Sequence, residues 1–162
     1  MDEIAWATVR DEFAFDGSWR DICVFGTAIA DWQRVLDAIR SADYRLTYFR
    51  AEQPAELPTR AEDVFPLTGE CDRRLSVRFA DVLANCHFFT AEEIEFDIDP
   101  REVKGQQELN ALFDFMRCLA QATDKDVFLT AENMPEIVIF RVSPGQAAIE
   151  YQAFGGWHDW RK

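Results

Sequence analysis

Ile29, Trp32, Val35, Leu36 and Ile39 share one face of a helix, with Asp31, Arg34, Asp37 and Arg40 outside it. The spacing predicts a helix that Thr27 caps and that runs through Ser41. A second stripe of Leu109, Leu112, Phe113, Met116, Leu119 and Ala120 predicts a helix from about Gln106 to about Thr123. Ahead of it, Asp99-Pro100-Arg101-Glu102 supplies an N-cap, a first-turn proline and a glutamate, with Gly105 placed to break off the first turn. Between the stripes the pattern changes to apolar and alternating runs of strand length. These fall at Trp19 to Phe25, Tyr44 to Phe49, Arg74 to Phe79, Ala84 to Thr90, Glu92 to Asp99, Val127 to Ala131, Glu136 to Val142 and Ala147 to Phe154.

The connections carry their own signals. Asp16-Gly17 between Glu12–Phe15 and Trp19–Phe25 predicts a hairpin, because a type I′ turn needs positive φ at both central positions. Met134-Pro135 predicts a turn, and Ser143-Pro144-Gly145 a type II turn. Ile137-Val138-Ile139-Phe140 lacks alternation, which predicts a central strand covered on both faces. Pro54, Pro58 and Pro66 interrupt residues 51 to 72 and predict a long connection with at most one helical turn, at Ala61 to Phe65: a lid, a binding loop or a mobile segment, or else a loop closed onto the sheet edge by Val64, Phe65 and Leu67.

These elements predict an α+β fold in one domain over residues 1–162, with two main helices on one face of a mainly antiparallel sheet of seven to nine strands. The order strand, helix, strand, strand, strand is given twice, over residues 11–90 and 91–154. Such duplicated strand–helix–strand–strand modules resemble GyrI-like effector-binding domains in element order, without a shared motif. The resemblance is one of topology and carries no function; the duplication, with the aromatic content, is what admits a small-molecule pocket between the halves.

Charge narrows the functions. The 162 residues hold 30 acidic and 17 basic side chains, a formal charge of −13. Without a Lys/Arg cluster, binding to nucleic acid or to anionic lipid is disfavoured, and a basic protein is the partner that the charge admits. No apolar run approaches the ~18–20 residues of a membrane helix, and Met1-Asp2-Glu3 lacks the features of a secretory signal. A cytoplasmic location is expected, with Cys23, Cys71, Cys86 and Cys118 as free thiols and no structural zinc, since no Cys-x-x-Cys pair occurs.

The clearest candidate for chemistry is Glu93-Ile94-Glu95-Phe96-Asp97-Ile98-Asp99, where period two sets acids on one face and apolar residues on the other. Glu93, Glu95 and Asp97 are expected to form an anionic ridge facing a partner, while Asp99 caps the following helix. A calcium loop starting at Asp97 fails, because Arg101 and Glu102 stand where an Asp or Asn and a Gly are needed. Cys86 and His87 are neighbours in a strand and leave on opposite faces, so they cannot pair as nucleophile and base. His158 lies near the end of the chain, and no zinc, glycine-cradle or nucleophile-elbow motif is present. Trp6, Trp157 and Trp160 are candidate aromatic contacts. The expectation is a non-enzymatic acidic protein-binding module, in the manner of an immunity or inhibitor protein, with no metal and no cofactor. An effector-binding domain with an aromatic and acidic pocket is the second expectation, and an enzyme with a dispersed carboxylate site the third. Oligomeric state is not set by these patterns.

Overall fold

A computed structural model describes residues 4–65 and 72–152. The chain runs α1 (Trp6–Val9), β1 (Arg20–Phe25), α2 (Ile29–Ser41), β2 (Arg45–Arg50), β3 (Gln53–Ala55), β4 (Arg73–Phe79), β5 (Val82–Cys86), β6 (Glu93–Ile98), α3 (Gln106–Thr123), β7 (Val127–Ala131), β8 (Met134–Val142) and β9 (Glu150–Tyr151). Short 3₁₀ turns occupy Arg10–Phe13, Ala61–Val64 and Pro100–Glu102. All nine strands join one sheet in the order β3-β2-β4-β5-β6-β1-β7-β8-β9, and every neighbouring pair is antiparallel. The fold is therefore α+β, with α2 and α3 packed against each other over one face of the sheet.

The two helical stripes explain that layer. Trp32, Val35, Leu36 and Ile39 of α2 and Leu109, Leu112, Phe113, Phe115, Met116 and Leu119 of α3 are buried. They meet the inward residues of the central strands, Ile22 and Val24 of β1 and Ile94, Phe96 and Ile98 of β6, in one core. The Trp32 indole donates from Nε1 to the Ala91 carbonyl at 3.0 Å, so the ring brings no unpaired donor into that core.

Several boundaries differ from the sequence expectation, each for a local reason. Glu12–Phe15 forms no strand. Residues 10–13 make a 3₁₀ turn, and both edges of β1 are already paired with β6 and β7. Ala28, and not Thr27, stands at the N-cap of α2. The Asp31 carboxylate accepts the Ala28 N–H at 2.9 Å, while the Thr27 hydroxyl donates across to the Ala91 carbonyl at 2.7 Å. Asp99 does cap a turn, but that turn is Pro100–Glu102, and α3 starts afresh after Gly105. The β4–β5 hairpin closes at Ala80-Asp81, with Ala80 at φ 50°, so β5 starts at Val82, and it ends at Cys86 rather than Thr90 as Phe88 turns to φ 55°. The chain between β7 and β8 turns at Glu132-Asn133, with Asn133 at φ 58°, and Met134 and Pro135 open β8 instead of forming the turn.

β8 is the second strand from its edge, not a central one. Register shifts opposite Thr130 let both Ile139 and Phe140 reach the interior, which accounts for the unbroken apolar run. Ser143-Pro144-Gly145 turns as expected, with Gly145 at φ 72° and the Gln146 N–H on the Ser143 carbonyl. Within the described part of residues 51–72 the structure adds β3, and the helical turn expected at Ala61 to Phe65 forms as a 3₁₀ turn over Ala61–Val64, with Ala61 and Val64 buried. The doubled order of elements is not a doubling of sheet position. α2 carries the chain past β6, β5 and β4 to β2, whereas α3 carries it past β1 alone to β7.

Candidate functional site

The alternation in β6 places Ile94, Phe96 and Ile98 under the helices and Glu93, Glu95 and Asp97, all half-buried, on the opposite face. No helix among the described residues covers that second face. Antiparallel register then decides what stands beside each acid. Glu93 lies opposite Phe25, Glu95 opposite Cys23, and Asp97 opposite Asp21. Asp21 is the acid that sequence reasoning missed. It is buried, because it sits on a central strand flanked by β6 and β7. Its only signal is a charged position at the start of an otherwise apolar strand.

A polar row crosses the sheet through these pairs. The Ser76 hydroxyl on β4 donates to Asn85 Oδ1 on β5 at 2.7 Å, and the Asn85 side chain hydrogen-bonds Asp97. Asp97 stands opposite Asp21, whose Oδ2 accepts the Asn133 N–H at 2.8 Å. His87 Nε2 lies 3.6 Å from Asp97 Oδ2, and its ring stacks on Phe89 with centroids 5.4 Å apart. His87 is thus an exposed neighbour of the acids, on the face opposite to buried Cys86.

Burial without matching cations leaves the Glu95 and Asp21 carboxyls weakly acidic. Desolvation, then the charge of Asp21, of Glu93 and of Asp97, pushes the Glu95 carboxyl up to about 7. Desolvation raises Asp21 to about 6, against the lowering effect of its hydrogen bond from Asn133, with Asp97 and Glu132 adding repulsion. Glu95 also hydrogen-bonds Asp21, which requires one of the two carboxyls to hold the proton. Asp97 is raised by desolvation and partly relieved by His87. The Cys23 thiol, opposite Glu95 and on the same strand as Asp21, is pushed far up by burial, which keeps it protonated.

A stability profile follows from these shifts. The unfolded values are 4.5 for Glu95 and 3.8 for Asp21, so the folded protein binds protons more tightly than the unfolded chain. Stability is expected to rise as pH falls from about 8 through 7 and 6, and to gain nothing further from this pair below its unfolded values. After allowance for partial exposure, the pair should contribute about 1–2 kcal/mol over that window. Urea midpoints at pH 8 and pH 5.5 measure it. Glu95→Gln should raise the pH 8 midpoint and flatten the slope, and an unchanged slope would show the pair to be uncoupled from folding.

Beside the acids lies a groove of about 630 Å³, lined by Trp19 and Phe49, by Arg45, Arg74 and Arg78, and by Asn85, His87, Asp97 and Glu132 among others. The acidic strip lies on β6 and β1, with Glu132 just past the end of β7, and the arginines lie on β2 and β4, so the open face is divided by charge. Phe25, 38% exposed, stacks near Phe128 on the far side of the strip.

Of the expected aromatic contacts, Trp6 is partly buried, 5.7 Å from Phe13, and its backbone N–H donates to Gln106 Oε1. Trp157 and Trp160 lie outside the described residues. Among the described residues, Cys23, Cys86 and Cys118 are free thiols, no three His, Cys, Asp or Glu side chains converge as a metal would need, and no helix is long and apolar enough to cross a membrane. Comparison with known proteins finds no matching family model, no matching curated protein and no matching solved structure.

Proposed function

We propose that this protein is a binding module whose open sheet face recognises a cationic segment of a protein partner. One observation carries the reading: Asp21, Glu93 and Glu95 crowd on adjacent central strands, half-buried or buried, with no basic side chain paired to them among the described residues. Carboxylates in that position repel one another, and an arriving Lys or Arg side chain removes the repulsion as it binds. Exposed aromatic surface beside the acids, Phe25 and the 78%-exposed Phe89, suits a protein surface better than a solvated strand. The role is that of an immunity- or inhibitor-like protein, which blocks a basic partner by covering it. The groove favours one second reading, a small cationic ligand held against Asp97 and Glu132, since about 630 Å³ falls within the usual range of ligand pockets.

Titration with a lysine-rich peptide tests the site. The wild-type protein should bind it with an affinity that falls as salt rises, and the triple variant Glu93→Lys, Glu95→Lys, Asp97→Lys should bind at least tenfold more weakly. A control triple, Asp37→Lys, Asp43→Lys, Asp114→Lys, makes the same change in net charge on exposed positions of the helical side. It should retain most of the affinity. Equal losses in both triples would reduce the binding to bulk charge and reject the reading.

A further inference from the structure

We infer that Arg45 and Arg78 form an oxyanion-binding subsite at the β2–β4 end of the groove, suited to a phosphate group. The two residues are Cα partners in the ladder, so their Cα atoms lie about 5 Å apart and their exposed side chains leave on one face. Like charges placed directly opposite oppose strand pairing. The chain has 30 acidic side chains with which to answer them, yet neither arginine makes an ion pair or a hydrogen bond among the described residues. The same groove shows a third guanidinium. Arg74 lies over the Phe49 ring at 4.4 Å, reaches Glu52 only at 3.8 Å, and has a buried Nε with no partner.

Chemistry selects the ligand. Each guanidinium offers paired N–H donors in a plane, and two of them bracketing one point match an oxyanion with several acceptor oxygens. Asn85 stands one strand further in, with its Oδ1 already taken by the Ser76 hydroxyl, which leaves its amide for Asp97 and for an incoming acceptor. The acids do not cancel this end of the groove. Asp97 on β6 is two strand spacings across and two residues along from Arg78 on β4, about 12 Å between Cα atoms, so one occupant can carry an anion at β4 and a cation at β6. The subsite rests on the paired arginines of β2 and β4 and not on the acidic strip, so its failure would leave the basic-partner reading standing.

The probe is inorganic phosphate, with sodium acetate and sodium chloride at matched ionic strength as comparison arms, read by calorimetric titration and by thermal unfolding. Phosphate should bind with a millimolar-range Kd and raise the melting temperature by roughly 2–4 °C, with acetate weaker and chloride inert. Arg78→Gln and, separately, Arg45→Gln should lose the phosphate heat and the phosphate-dependent shift. The unliganded variants should melt no lower than the wild-type protein, because each loses a repulsion rather than a contact. Equal phosphate shifts in wild type and both variants would mean general salt stabilisation and overturn the subsite. So would a drop in the melting temperature of both unliganded variants, which would make the arginines part of the fold's own support.

Discussion

Arg20→Ala should destabilise the protein by about 3–5 kcal/mol, the range for removing one member of a buried charged network. Arg20 is 1% exposed at the start of β1. Its guanidinium donates to the carbonyls of Glu12 at 2.9 and 3.1 Å, of Ser18 at 3.2 Å and of Trp19 at 3.0 Å, and it pairs with Asp16 Oδ1 at 3.4 Å. Those acceptors span the irregular segment from residue 12 to residue 19, so one side chain replaces the ladder that a hairpin would have supplied. Hydrogen bonds to a charged donor are each worth more than neutral ones, and alanine withdraws all of them together. Arg20→Lys should recover only part of the loss, because an ammonium cannot reproduce the planar fork. Chemical denaturation of the three proteins measures the effect, and a loss under ~1 kcal/mol for alanine would mean that segment 12–19 holds its shape without Arg20. Trp19 lines the groove and Asp21 stands in the acidic strip, so Arg20→Ala should also weaken lysine-peptide binding.

Leu112→Ala should cost about 2–5 kcal/mol, from lost transfer free energy and from the cavity left behind. Leu112 is fully buried on α3, on the face it shares with Leu109, Phe113 and Met116. Aromatic neighbours on α3 limit how far the site can collapse: Phe113 meets Phe140 at 5.0 Å, and Phe115 meets Phe79 at 4.8 Å and Phe96 at 5.2 Å. Rings already packed against one another, two pairs edge to face and one stacked, cannot flow into a void without losing their own contacts. The expected value therefore lies in the upper half of the range. Urea denaturation decides it, and a change under ~0.5 kcal/mol would contradict the packing of α3 on the sheet.

Local rules carried most of the fold because most elements obey them. The α3 stripe, the β6 alternation and the type II turn at Pro144-Gly145 each follow from the chemistry of a few adjacent residues. The sequence failed where distant chain competes for the same groups. Asp16-Gly17 is a good hairpin turn only while β1 has a free edge, and β6 and β7, from far along the chain, take both. The ridge Glu93, Glu95 and Asp97 was legible as a period-two pattern, and Arg74-Ser76-Arg78 alternates just as plainly with Leu75, Val77 and Phe79. Their meaning was not. Asp21 opposite Asp97, and Arg45 opposite Arg78, exist only through register, which no local pattern specifies.

The short hairpin at the β2 edge bears on solubility at high concentration. A nine-stranded open sheet with one uncovered face would stack strand to strand with its own copies if its border offered a long row of backbone donors. Here that border is three residues, Gln53, Pro54 and Ala55, and the middle one has no N–H to give. The turn before it holds Ala51 and Glu52 at φ 50° and 63°, a left-handed bend that makes the border hard to straighten or lengthen. The border at β3 thus works as a stop against fibre growth, so that an open charged face does not bring edge-on aggregation with it there.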